Sequence, residues 1–158
     1  MNKSNGEQAD RVLFICTGNF YRSRYAEAFF NYTAKGRGLP LAAFSRGLNI
    51  DLVSGDISPI VMTAMIVRGM DPSLTTATRT PLSEGDLETA NHRIAMQASE
   101  HRPMMQSLFP AWADRVEYWD VRDIPGQNPV TALMSIERSV LELIARLTDG
   151  GKDGEAGA

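Results

Sequence analysis

The stretch RVLFIC, residues 11–16, is apolar after its first residue and stops at the turn-forming TGN of residues 17–19. A short apolar run bounded by turn signals is the pattern of a strand buried on both faces. SRYAEAFFNYTAKG, residues 23–36, has helix-forming composition and closes on Gly36. The alternation then repeats. LAAFSRG (41–47) reads as a second strand. SPIVMTAMIVRG (58–69) reads as a helix with Ser58 as N-cap, Pro59 at the first helical position and Gly69 as its stop. SEGDLETA (83–90) opens with an approximate capping box, Ser83 and Asp86. HRIAMQ (92–97) is a third strand, SEHRPMMQSLF (99–109) a short helix with Pro103 in its first turn, and RVEYWDV (115–121) a fourth strand. In NPVTALMSIERSVLELIARL (128–147), Asn128 caps and Pro129 follows. Val130, Leu133, Met134, Leu141, Ile144 and Leu147 recur near a 3.6-residue period.

Strands alternating with helices imply an α/β fold: a single domain with a central four-stranded parallel sheet and helices on both faces. The expected domain spans residues 11–148. Residues 1–10 are expected to be a flexible leader, and the polar, glycine-rich 149–158 a flexible tail.

Composition narrows the function classes. The 158 residues carry 43% hydrophobic and 22% charged side chains and a formal net charge of -3, which gives no reason to expect a nucleic-acid or membrane partner. The single cysteine, Cys16, excludes an internal disulfide framework and a thiolate metal cluster. The polar N-terminus lacks a signal-peptide core, and no apolar run approaches the roughly 20 residues that span a bilayer. A cytoplasmic protein is expected. His92 and His101 stand isolated, so no metal and no cofactor are expected.

In a parallel sheet, sites form beyond the carboxyl ends of the strands, and Cys16 falls at that end of the first. The residues after it are Thr17, Gly18, Asn19, Phe20, Tyr21, Arg22 and Ser23. A loop leading into a helix turns its N–H groups inward, and the helix N-terminus adds partial positive charge. Gly18 and Asn19 tolerate the positive φ of a tight anion-binding turn. Arg22 offers a planar fork matching two oxygens of a tetrahedral oxyanion. The field that holds an anion also favours a thiolate, and Ser23 can donate to it. An arginine at one fixed offset from a lone cysteine arises by chance about one time in sixteen, so spacing alone favours a small buried hydrophobe. The glycine, asparagine and serine, together with the strand-to-helix position, reverse that judgement. The segment reads as a nucleophile beneath a phosphate cradle.

CTGNFYRS resembles the catalytic loop of the low-molecular-weight protein tyrosine phosphatases: cysteine, five residues, arginine, serine. The likeness extends through SRGLN, ISPIVMTAMIVRGMD, RTPLSEGDLETANHRIAM and VEYWDVRDIP, so it covers roughly residues 11–147. It implies hydrolysis of phosphotyrosine (aryl phosphate) monoesters through a phosphocysteine on Cys16, with residues 17–23 binding phosphate. It also implies a late aspartate as general acid. Asp120 and Asp123 are the candidates. The family places the acid directly before proline, whereas Ile124 here separates Asp123 from Pro125; the spacing from Trp119 favours Asp123. The resemblance allows a phosphotyrosine protein as partner, such as a bacterial tyrosine kinase for surface polysaccharide.

Three positions depart from the family. Tyr21 stands where relatives often carry a second cysteine, so oxidised Cys16 has no internal rescue. Arg24 stands where proline is common, as a second charge at the mouth or simply a solvated one. Gly126 and Gln127 replace a tyrosine pair, which leaves Phe20 and Trp119 as candidate aromatic walls, with core packing the commoner fate for Trp119. Two other readings compete: an arsenate reductase using an external thiol, and a non-enzymatic phosphate or phosphotyrosine binder.

Overall fold

The structure is a computed structural model that describes residues 9–157, with side chains through 149. Four strands form one sheet in the order β2-β1-β3-β4: β1 (Asp10–Cys16), β2 (Leu41–Gly47), β3 (His92–Ala95) and β4 (Glu117–Tyr118). All three pairings are parallel. The helices are α1 (Arg22–Gly36), α2 (Pro59–Val67), α3 (Glu84–Thr89), α4 (Ala98–Leu108) and α5 (Pro129–Gly157). The expected α/β single domain is therefore the observed one.

Strand β1 lies at the centre because both of its faces are apolar. Val12, Phe14 and Cys16 point into one core with Tyr25, Phe29 and Phe30 of α1 and Ile136, Val140 and Ile144 of α5. Leu13 and Ile15 point into a second core with Phe44, Leu87, Met105 and Trp112. This is the period-2 alternation of a pleated strand. Each fully buried aliphatic or aromatic side chain contributes about 1.5–3 kcal/mol.

The caps form as their residues require. Ser58 Oγ accepts from Ile60 N–H at 3.1 Å, Asn128 Oδ1 accepts from Val130 N–H at 2.8 Å, and Ser83 and Asp86 make both bonds of a capping box.

Several expectations need correction. The buried stripe of α5 is Ala132, Ile136, Val140, Leu143 and Ile144, with Leu133 and Leu147 packed against it, so Ile144, Leu133 and Leu147 lie where expected while Val130, Met134 and Leu141 are exposed. Spacing near 3.6 fits either stripe. Pro103 lies inside α4, beyond its first turn. Helix α1 does end at Gly36 as expected, and the left-handed residue follows at Gly38. Strand β4 has only two residues. Asp10, placed in the expected leader, begins β1, and residues 1–8 lie outside the described set. The α5 helix runs to Gly157. Among the described residues no helix is long and apolar enough to cross a membrane.

Candidate active site

Parallel pairing brings the carboxyl ends of all four strands to one edge. Cys16 pairs in register with Gly47, and residues 97 and 120 bridge just beyond β3 and β4. The loop of residues 17–21 rises from β1 at this edge and enters α1. Its carbonyls turn outward: Leu48 N–H donates to Cys16 O, Asn49 N–H to Thr17 O and Ser58 N–H to Phe20 O, at 2.8–3.0 Å. The amides are left facing inward, and Tyr21, at the helix cap, contributes no capping side chain. An uncapped helix start with inward amides is suited to an anion.

Two residues shape the turn. Asn19 adopts φ 52° and is fully buried, whereas Gly18 has no positive φ. Gly18 is needed for room instead: a Cβ there would meet Val53 Cγ2 at 2.9 Å. Gly47 on the neighbouring strand is tighter still. A Cβ would stand 2.9 Å from both Asn19 N and Thr17 O.

The hydroxyl directions follow from one carboxylate. Ser45 Oγ donates to Glu27 Oε1 at 2.7 Å and accepts from Asn19 Nδ2 at 3.0 Å. Asn19 Nδ2 also donates to Ser23 Oγ at 3.1 Å, and Asn19 Oδ1 accepts from Thr80 N–H at 2.8 Å. Ser23 keeps its proton, and Oγ lies 3.0 Å from Cys16 Sγ, within reach to donate to a thiolate there. Glu27, Ser45 and Thr80 join the site without having been singled out in the sequence.

Arg22 is 2% exposed. Its Nη1 donates to Glu100 Oε1 at 3.0 Å and to Val121 O at 3.0 Å, with Gln97 Oε1 at 3.3 Å. Its Nη2 donates to Glu100 Oε2 at 3.0 Å and lies 3.7 Å from Asp123 Oδ2. Burial works against the guanidinium charge, but Glu100, Cys16 and Asp123 together hold its pKa above the ordinary value.

Glu100 is held in turn. Thr17 Oγ1 donates to Glu100 Oε2, and His101 Nε2 lies 3.1 Å from Thr17 Oγ1 and 3.4 Å from Glu100 Oε2. Gln97 N–H donates to His101 Nδ1 at 3.0 Å, so the neutral ring carries its proton on Nε2. Burial lowers the His101 pKa and keeps the ring neutral. The contact with His101, then the bonds from Arg22 and Thr17, hold the Glu100 carboxyl well below the usual carboxylate range against the opposing effect of burial.

A cavity of 210 Å³ opens above Cys16 and Arg22, lined also by Gly18, Phe20, Tyr21, Val53, Ser58, Asp123 and Ile124. Asp123 thus faces the cavity and Asp120 does not line it. Trp119 does not line it either: the ring packs on Phe14, with centroids 5.7 Å apart, and Nε1 donates to Glu117. Arg24 is no mouth charge. It is 2% exposed and donates to Thr75 Oγ1, Asn19 O, Asp56 O and Thr76 O, tying the loop to residues 56–76.

A sequence model of the family described as "Low molecular weight phosphotyrosine protein phosphatase" matches residues 11–128. The chain belongs to this family. Among relatives of this phosphatase, a protein-arginine-phosphatase of Bacillus subtilis (strain 168) is 30% identical over 105 residues, which are 66% of this chain and 67% of that one. A low molecular weight protein tyrosine phosphatase from T. tengcongensis superposes with a TM-score of 0.70 at 28% identity, covering 90% of this chain and 99% of its own. A YwlE arginine phosphatase, a cysteine-to-serine mutant with a phosphorylated active-site serine, superposes with a TM-score of 0.73 at 26% identity, covering 87% and 95%.

Glu100, His101 and Gly47 were not expected at a family phosphatase's loop from the sequence reading. The only signal was topological: SEH follows the third strand directly, and so must lie at the carboxyl edge.

Proposed function

We propose that the protein hydrolyses phosphotyrosine, as an aryl phosphate monoester in a protein substrate, through a phosphocysteine on Cys16. The observation that carries this reading is the cavity wall. Above Cys16 and Arg22 stand Phe20, Val53 and Ile124, with Asp123 at their edge. An apolar wall suits a neutral aromatic ring better than a charged leaving group.

In the first step the Cys16 thiolate attacks phosphorus while Arg22 and the loop amides take the equatorial oxygens. An S–P bond forms, the P–O bond breaks, and Asp123 gives its proton to the leaving phenol oxygen. In the second step a water loses its proton to Asp123 and attacks phosphorus. The S–P bond breaks, and inorganic phosphate leaves the regenerated thiolate. The phosphorylated serine in the cysteine-to-serine relative supports a phosphoenzyme at this position.

The test compares wild type and Cys16→Ser on a phosphotyrosine peptide, a phosphoarginine peptide and arsenate with an external thiol. Preferred, Cys16-dependent turnover of phosphotyrosine is expected. Preference for phosphoarginine, the substrate class named for the Bacillus subtilis relative, overturns the substrate assignment. Thiol oxidation by arsenate without phosphatase turnover overturns the reaction class, as does tight phosphate binding without turnover.

A further inference from the structure

We propose that Glu100 is a positioning residue for catalysis, which holds the guanidinium of Arg22 by its Nη1–Nη2 end and so turns the Nε–Nη2 edge to the phosphate. The inference rests on the phosphate-binding role given to Arg22 above.

A guanidinium has two edges that can grip a pair of oxygens: the end, Nη1 with Nη2, and the side, Nε with Nη2. Glu100 takes the end with two 3.0 Å bonds. Val121 O and Gln97 Oε1 share the remaining demand on Nη1. Among the described residues, Nε has no acceptor and Nη2 keeps one proton. Those two donors form the side edge, on a residue that lines the cavity with Cys16.

The carboxylate also ties both ends of the loop to one helix. Thr17, the residue after the cysteine, and Arg22, the residue before Ser23, meet on the same Glu100 side chain. Glu100 sits in the first turn of α4, where a negative charge is favoured by the helix start.

Glu100 further keeps the clamp from the candidate acid. Asp123 Oδ2 is 3.7 Å from Nη2, just beyond hydrogen-bonding reach. With Glu100 neutralised, Asp123 is the carboxylate nearest the guanidinium. Pairing between them would turn the side edge off the phosphate and occupy the group proposed to protonate the leaving oxygen.

The experiment is a double-mutant cycle read by inorganic phosphate binding, which needs no turnover. Wild type, Glu100→Gln, Arg22→Ala and the double variant are titrated with phosphate by calorimetry. Glu100→Gln is expected to weaken phosphate on the order of tenfold alone and to have no further effect in the Arg22→Ala background. In parallel, its kcat on para-nitrophenyl phosphate should fall on the order of 10- to 100-fold, more than KM rises. An equal loss of phosphate affinity in both backgrounds overturns the proposal, since Glu100 then acts without Arg22. So does unchanged kcat and affinity in Glu100→Gln. Should that variant unfold, Glu100→Asp, which keeps the charge and loses reach, goes through the same cycle with the same criteria. Failure of the functional reading looks different: wild type binds phosphate, the cycle shows coupling, and no substrate is turned over.

Discussion

Asn19 Nδ2 donates to Ser23 Oγ at 3.1 Å, a bond that uses an oxygen lone pair and not the Ser23 proton. The oxygen already accepts, so its proton is free for Cys16 Sγ at 3.0 Å. A hydrogen bond to a charged group is worth about 1.5–3 kcal/mol. Ser23→Ala should therefore slow aryl phosphate turnover on the order of 10- to 100-fold without unfolding the protein. Asn19→Ala should also cost stability, about 1–3 kcal/mol, because Ser45 Oγ and Thr80 N–H lose their partner. Denaturant melts and steady-state kinetics measure both. Wild-type kcat in Ser23→Ala would remove the serine from the chemistry.

Asp123 and Asp120 can be separated by leaving group. Asp123 lines the cavity beside Arg22, whereas residue 120 bridges to residue 97 at the sheet edge. Asp123→Asn should lower kcat by about 100-fold or more on phenyl phosphate, and by less on para-nitrophenyl phosphate, whose leaving oxygen needs the proton less. Asp120→Asn should change neither by more than a few-fold. The reverse ranking moves the acid to Asp120.

Gly47 is expected to tolerate no side chain. Its Cβ would press on Asn19 N and Thr17 O at 2.9 Å, which are backbone atoms of the loop after Cys16. Gly47→Ala should destabilise by about 1–3 kcal/mol through overpacking. It should also lower kcat on the order of tenfold or more by displacing the loop. Wild-type kinetics together with a wild-type melt would show that the loop yields freely.

His101 links stability to pH with a definite sign. Burial lowers its folded pKa below the ordinary 6.5, so the unfolded chain takes up the proton first as pH falls. Stability is then full above about pH 6.5 and declines on acidification toward the folded value. Urea melts near pH 7.5 and 5.5 should show wild type weaker at the lower pH and His101→Gln with a shallower slope. Identical slopes would sink this assignment. The lowered Glu100 carboxyl acts in the same direction, but only below its ordinary value of 4.5.

Much of this was legible before any coordinates. The four strands, the caps Ser58, Ser83 and Asn128, and the placing of Cys16 at a strand's carboxyl end follow from local pattern. The errors also share a cause. Arg24 reads as a solvated charge because nothing nearby in sequence can satisfy it; its partners are Thr75, Thr76 and the carbonyls of Asn19 and Asp56. Trp119 is a candidate for either wall or core from its place at a strand end, and its ring takes the core, packed on Phe14. On α5 the expected Ile144, Leu133 and Leu147 do pack on the core, but Val130, Met134 and Leu141 are exposed, because apolar residues occupy several faces of the helix and only packing chooses among them.

Periodicity, glycine and capping act over a few residues, so the strand, the turn and the helix that carry Cys16, Arg22 and Ser23 are encoded locally. Tertiary structure alone decided what holds those groups. Glu100 lies 78 residues from Arg22, and Ser45 lies 26 from Asn19. Parallel strands gather such distant segments at one edge. Whether a polar side chain there faces water or the loop depends on that register, which no local pattern encodes.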